Sequence, residues 1–252
     1  MKKIALMCIA KEEDIYIQEW VDYHLKLGFD DVHIFQNDWR LDKINDDSRV
    51  HLHEYDGKTY KSDEPIWVKN IQAKCYNEFC QKYKDEYEWV ACFDVDEFLV
   101  LKKTNDVKEF IDNYIQQNCV VINWAMFGDS GQSFDPNNTS VINRFTKRKH
   151  FSSQFKSICK LGDNVRHQIH WSGDSWMDTN YNSGTTPFNG SGSYDVAQLN
   201  HYFTKTYDEF LNKIERGNAC GGGVNGKRDV SDFDGNNSNE VEDLFAKNFF
   251  NS

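Results

Sequence analysis

Short apolar runs at residues 4–9, 32–35, 50–53, 89–93 and 120–124 alternate with stretches of helical period. A buried strand carries a continuous apolar run, whereas an amphipathic helix repeats its apolar residues every three or four positions. Between the first two runs, Ile17, Trp20, Val21, His24 and Leu25 keep helical spacing over residues 13–27, and Gly28 follows as a stop. Ile71, Cys75 and Phe79 stand four apart within a helix predicted over residues 66–79, and residues 107–114 read as another. Strand–helix alternation builds βαβ units, so the pattern predicts an α/β fold whose central sheet is mainly parallel and flanked by helices.

Beyond residue 125 the character changes. Gly, Ser, Asn and Asp dominate residues 173–192 and 217–239, with short strands predicted at 155–160, 165–170 and 196–202 and a helix at 207–216. Repeats and linkers are not evident, so residues 1–252 read as a single domain made of two halves, 1–125 and 126–252. Long loops of this kind act as lids or binding loops over the carboxyl edge of a sheet, and residues 173–192 are the expected lid.

Charge narrows the partners. With 29 basic against 40 acidic residues the net charge is −11, which argues against nucleic acid and allows at most peripheral membrane contact. The sequence holds no 18-residue apolar run, so no transmembrane segment is expected. The apolar stretch near the N-terminus leads into Lys11-Glu-Glu-Asp14 and reads as a first strand, not a signal peptide. Seven cysteines occur without a Cys-x-x-Cys pair, the pattern of buried free thiols in a reducing, cytoplasmic setting.

The segment Trp89-Val-Ala-Cys-Phe-Asp-Val-Asp-Glu-Phe-Leu-Val100 runs a strand into three carboxylates. In an extended chain, residues two apart share a face, so Asp94 and Asp96 are expected to point together with Val95 turned away. Two convergent carboxylates at a strand's end make a hard oxygen site for Mn²⁺ or Mg²⁺, and such a cation bridges and neutralises a diphosphate.

Asp94-Val-Asp-Glu-Phe98 also resembles the Asp-x-Asp-Glu-Phe motif of glycosyltransferases with the GT-A fold. Cys8-Ile-Ala-Lys-Glu-Glu13, followed by Glu19-Trp20, Tyr23-His24 and Gly28, is similar to the opening of family 92 glycosyltransferases and their bacterial family 2-like relatives. Trp124-Ala-Met-Phe-Gly-Asp-Ser-Gly131 resembles that family's Trp-x-x-Phe-Gly-Ser-Ser-Gly loop, and Asn200-His-Tyr-Phe-Thr-Lys-Thr-Tyr-Asp-Glu-Phe210 with Lys213 resembles its His-Tyr-x-x-Lys-Ser helix start. The four pieces occur in the family's order over residues 4–245. Two positions depart from it: the usual Lys-Asn-Glu is Lys11-Glu-Glu, and Asp129 replaces a serine.

The resemblance implies a GT-A-like (Rossmann-like) domain, with residues 1–125 binding a nucleotide-sugar and 126–252 the acceptor. It implies metal-dependent, inverting transfer of a hexose from UDP-galactose or UDP-glucose to a glycan or lipid-linked sugar, with His201 joining Asp94 and Asp96 on the metal. Donor contacts are expected from Ala10, Lys11, Glu13 and Asp38 at the ends of the first two strands, from Gln72 and Lys74 on the next helix, and from Asp94 and Val95. Lys156 and Lys205 are expected on the phosphates, and His170 on phosphate or acceptor. Trp124, Trp171 and Trp176 are candidates to stack on a sugar. Asp129, then Asp135, are the candidate bases for the acceptor hydroxyl. Two rival readings are a nucleotidyltransferase acting on sugar phosphates and a non-catalytic carbohydrate-binding protein.

Overall fold

The computed structural model describes residues 3–42, 44–56, 70–163, 165–217 and 228–252. The first half delivers its alternation: β1 (Ile4–Ala10), α1 (Ile17–Lys26), β2 (Asp31–Asn37), β3 (Val50–Tyr55), α2 (Ile71–Tyr83) and β4 (Trp89–Cys92). The predicted start of the second helix, residues 66–69, lies outside the described residues; within them Asn70 caps α2 by accepting from the backbone of Gln72 and Ala73. Next come β5 (Glu97–Leu101), α3 (Val107–Tyr114), β6 (Cys119–Met126), α4 (Val141–Arg144), β7 (Lys147–Arg148) and β8 (Phe155–Lys160). The chain ends through β9 (Trp176–Asp178), β10 (Ser183–Gly184), β11 (Ala197–His201), α5 (Tyr207–Arg216), α6 (Val230–Asn236), β12 (Val241–Glu242) and α7 (Phe245–Asn251). Among the described residues no helix is long and apolar enough to cross a membrane.

The sheet runs β10-β9-β6-β8-β4-β1-β2-β3, with β11 pairing β6 and β5. It is mixed, which corrects the expectation of a mainly parallel sheet. β1, β2, β3 and β4 are mutually parallel; α1 makes the crossover from β1 to β2 and α2 lies between β3 and β4, while no helix is described between β2 and β3. β8, however, inserts between β4 and β6 and runs antiparallel to both. It enters from loops and short elements instead of a long crossover helix, so nothing forces the parallel sense. A second correction concerns residues 165–170. They form no strand, only an isolated bridge between His167 and Ser172, because Asn77 of α2 engages the backbone of His167 through both its amide oxygen and nitrogen. Nor is the segment 173–192 a free flap: β9 and β10 pair, and Asn189 donates to Asp178 (2.7 Å) and to Asn123 of β6 (3.1 Å).

The strand order reverses at β1. The chain steps from β1 to β2 and β3 on one side, then returns to β4 on the other. A crevice therefore opens beyond the carboxyl ends of β1 and β4, the place where open α/β sheets bind ligands.

Helix α1 is fastened to β5 by side chains. Trp20 Nε1 donates to the Glu97 carbonyl (2.8 Å), Tyr23 Oη donates to the Leu99 carbonyl (2.8 Å), and His24 Nε2 accepts from the Leu99 amide (3.3 Å). Burial drives His24 down to about 3, so it is a neutral imidazole at ordinary pH. Helix α5 is held by a buried ion pair. Arg144 makes two bonds to Glu209 (2.7 and 2.9 Å), and Tyr16 adds a third (2.7 Å). Thr206 and Glu209 also form the capping box of α5. Burial works to raise the Glu209 carboxyl, but the bonds from Arg144, Thr206 and Tyr16 outweigh it and hold it at about 2.

Because this carboxyl titrates lower in the folded chain than in the unfolded one, its contribution is complete above the ordinary glutamate value of about 4.3 and is lost as pH falls from there through about 2. Chemical denaturation followed across pH 2–5 is expected to show that loss. Arg144→Met, which strands the carboxylate, is expected to cost about 3–5 kcal/mol at pH 7.

Candidate active site

The crevice at the strand reversal holds a cavity of about 400 Å³. Its walls are the ends of the strands: Ile9, Ala10, Lys11 and Glu13 after β1, Asn37 at the end of β2, Asp94 to Asp96 after β4, and Trp124 and Met126 on β6. The far wall brings Phe203, Lys213, Arg216 and Arg228.

Asp94 and Asp96 reach the cavity from a turn, not from an extended strand. The Glu97 amide donates to the Asp94 carbonyl (2.9 Å), which folds residues 94–97 over and brings Val95, expected to point away, into the lining. Behind the turn, Glu97 is fully buried and its Oε2 accepts from the Asp94 amide (2.8 Å). Burial raises the Glu97 carboxyl well above its usual range, against the pull of Lys156.

Register then fixes His201. On the β5–β11 ladder His201 lies opposite Glu97, and the Tyr202 amide donates to the Asp96 carbonyl (2.9 Å). His201 Nε2 stands 3.5 Å from Asp96 Oδ1. Burial lowers the His201 imidazole, against the pull of Asp96. Burial alone would raise the Asp96 carboxyl, yet Lys213, 2.5 Å from Oδ2, and His201 hold it well below the ordinary range. Asp94 is turned the other way: Oδ1 accepts from Gln72 and Oδ2 lies 3.2 Å from Lys156 Nζ. A neutral imidazole and carboxylate oxygens suit Mn²⁺ or Mg²⁺ chemically, and all three side chains face one cavity. Among the described residues, though, no three such groups already converge on a point; Asp96 and His201 are close together and Asp94 stands apart.

The structure therefore gathers Ala10, Lys11, Glu13, Gln72, Asp94, Val95, Asp96 and His201 around one space. Others fall elsewhere. Lys156 is 1% exposed and sits beneath Asp94, and Lys205 lies 4.0 Å from Asp96 with its ammonium over the Tyr16 ring. Lys74 pairs with Glu78 on the solvent side of α2 (3.9 Å), and Asp38 is an exposed residue in left-handed conformation just past β2, with Asn37 facing the cavity in its place. His170 bonds the Phe155 carbonyl (2.9 Å), and Trp171 and Trp176 pack with Phe155 in a separate core cluster; of the three tryptophans, Trp124 lines the cavity. Asp129 is clasped by Asn237 (2.9 Å) and Asn239 (3.1 Å), and exposed Asp135 accepts from the Asn137 amide (2.9 Å); neither lines the cavity.

Sequence reasoning passed over Arg216 and Arg228. Lys213 and Arg216 stand three apart on α5 and so share a helix face, which was the available signal. Arg216 pairs with Glu13 (2.5 Å), and the Arg228 guanidinium lies over the Phe203 ring. Lys11, Arg216 and Arg228 line the cavity with Lys213, whose ammonium burial lowers to about 7, beside Glu13, Asp94 and Asp96, in a chain whose net charge is −11. Buried polar atoms without a partner also collect here: Glu13 Oε2, Asn37 Oδ1, Trp124 Nε1 and His201 Nδ1. Such atoms are costly unless something polar meets them.

The family model for glycosyltransferase family 92 matches residues 5–219. A glycosyltransferase family 92 protein of Arabidopsis thaliana is 23% identical over 217 residues, covering 80% of this chain. The chain spans 35% of the length of that relative.

The clasp on Asp129 also needs Gly128. A Cβ there would stand 2.6 Å from Asn239 Oδ1, 2.7 Å from the Ser238 carbonyl and 2.8 Å from Asn237 Oδ1. Gly128→Ala is expected to destabilise the chain by about 1–3 kcal/mol, measured by urea denaturation. Gly131→Ala, left-handed but with open space around its Cβ position, serves as the comparison for backbone strain alone.

Proposed function

The chain belongs to glycosyltransferase family 92, and on that premise we propose that it transfers a hexose from a nucleotide-diphosphate sugar to a hydroxyl of a glycan or lipid-linked sugar. UDP-galactose or UDP-glucose is the proposed donor, with inversion at the anomeric carbon as the family resemblance implies. The observation that carries the reading is the cavity at the strand reversal, where Asp96 meets Lys213, Glu13 meets Arg216, and Asp94 and Arg228 share the lining.

A diphosphate is the proposed occupant of this cavity. Guanidinium groups recognise phosphate oxygens through paired donors, and Arg216 and Arg228 line it. The nucleoside end lies along Ala10, Lys11, Asn37 and Gln72, where main-chain groups at the strand ends and side-chain amides offer hydrogen bonds to ribose and base. Asp94, Asp96 and His201 would hold Mn²⁺ or Mg²⁺, which supplies charge neutralisation as the nucleoside diphosphate departs. Lys213 secures Asp96 in its ionised form (2.5 Å), and the Glu97 side chain fixes the Asp94 backbone. Trp124, beside His201 with ring centroids 4.4 Å apart, offers the hexose an aromatic wall.

Calorimetry of UDP binding tests this. UDP is expected to bind more tightly with Mn²⁺, and Asp96→Asn is expected to abolish that dependence. Arg228→Ala is expected to weaken UDP by about tenfold, or about 1.4 kcal/mol, while leaving uridine unchanged. Glycan binding that ignores both UDP and Mn²⁺ overturns the proposal in favour of a carbohydrate-binding protein. Formation of a nucleotide-sugar from UTP and a hexose phosphate overturns it in favour of a nucleotidyltransferase.

A further inference from the structure

Two thiols face each other on the central sheet away from the cavity. Cys119 opens β6 and Cys159 lies near the end of β8, and the ladder pairs them directly. The positions beside them carry the hydrogen bonds: the Lys160 amide donates to the Asn118 carbonyl (2.7 Å), and further along the Trp124 amide donates to the Gln154 carbonyl (2.8 Å). Alternation along an antiparallel ladder therefore makes Cys119–Cys159 a non-hydrogen-bonded pair, whose Cα atoms approach to about 4.5 Å. That spacing lies within the range a disulfide spans, about 4.4–6.8 Å. The sulfurs are already in contact at 3.1 Å, with Cys159 donating to Cys119.

The two thiols differ. Cys119 is 7% exposed and Cys159 fully buried. The bond from Cys159 lowers the Cys119 thiol from its ordinary value, while burial raises Cys159. The described cysteines outside this pair, Cys8, Cys75, Cys80 and Cys92, are at most 1% exposed and belong to other clusters of the core. Cys119 is thus the thiol of this group placed to meet a small oxidant, and Cys159 the one placed to resolve it.

We propose that Cys119 and Cys159 form a reversible disulfide, with a hydroperoxide as the oxidant. The Cys119 thiolate attacks one oxygen of hydrogen peroxide. The O–O bond breaks, Cys119 becomes a sulfenic acid, and the departing hydroxide takes up the thiol's proton as water. Cys159 sulfur then attacks Cys119 sulfur. The S–O bond breaks, and the released hydroxide leaves as a second water with the Cys159 proton. Two thiols are oxidised by two electrons in total, and one peroxide is reduced to two waters. The bond staples β6, which carries Trp124, to β8, which carries Lys156, and a dithiol reductant reverses it.

The test uses the full chain with Cys220→Ser, which silences a thiol outside the described residues. After treatment with hydrogen peroxide, a non-reduced digest is expected to contain the 119–159 cross-linked peptide, lost on addition of dithiothreitol. The melting temperature is expected to rise by about 5–10 °C, as closing a loop of this length constrains the unfolded chain. In Cys159→Ser, the sulfenic acid on Cys119 is expected to persist and be captured by dimedone; Cys119→Ser is expected to show neither product. The peptide map of the parent chain decides the matter even where a variant fails to fold. A cross-link between other cysteines, a dimedone adduct on Cys119 without the cross-link, or a chain whose Cys119 and Cys159 stay reduced overturns the proposal.

Discussion

The hydrogen bonds from α1 to β5 do the work that a neighbouring strand does elsewhere in the sheet. β5 pairs with β11 on one side only. Its other edge is buried, and buried backbone groups without partners are costly. Trp20, Tyr23 and His24 meet them, donating to the Glu97 and Leu99 carbonyls and accepting from the Leu99 amide. That edge is also where the carboxylate turn ends, so a helix packed behind the site sets where Asp94 and Asp96 sit. The ladder with β11 completes the arrangement, since the register that places His201 opposite Glu97 also places it beside Asp96. Trp20, Tyr23 and His24, part of the opening that resembles family 92, are thus supports of the site. Burial keeps His24 neutral, consistent with a part played through hydrogen bonds.

Electrostatics follow from the same construction. The carboxylates at the floor of the cavity stand beside cations, Lys213 and Lys205 near Asp96 and Lys156 near Asp94, while burial keeps the Glu97 carboxyl well above its usual range. Arg216, paired with Glu13, and Arg228 add further positive charge on the wall. The overall charge of −11 is distributed elsewhere on the chain and says little about this interior. A surplus of acid in the composition can coexist with a pocket lined by arginines.

What the sequence made legible was local. Apolar runs found β1, β2, β4 and β6, because a doubly covered strand must be apolar throughout, and a short run also marked the half-exposed edge strand β3. The carboxylates after β4 pointed to the cavity, since strand ends at a reversal of order are where α/β sheets expose their polar groups. Sheet order was not legible. Nothing in 155–160 tells a strand that inserts between β4 and β6 from one that adds at an edge, because pairing is decided by partners far away in the chain. Lys156 illustrates the cost. In sequence it is a lysine free to reach a phosphate; in the fold it alternates inward and disappears beneath Asp94. In sequence the turn at 94–97 reads as an extended continuation of the strand at 89–93, and β5 beyond it is not predicted. Residues 165–170 alternate like a strand yet lose to the two hydrogen bonds that Asn77 makes with His167.

The placement of β8 has a consequence for how the chain assembles. β1 to β4 are complete once residue 92 has been made, so they can pair among themselves before β8 exists. β4 then waits with one edge open until residues near 160 arrive to cover it. During synthesis that edge is a row of unpaired backbone groups on an apolar strand, the kind of surface on which chains pair with each other. The nascent protein is consequently most exposed to misassembly in the interval between completing β4 and closing it with β8, and the cavity takes shape only when that interval ends.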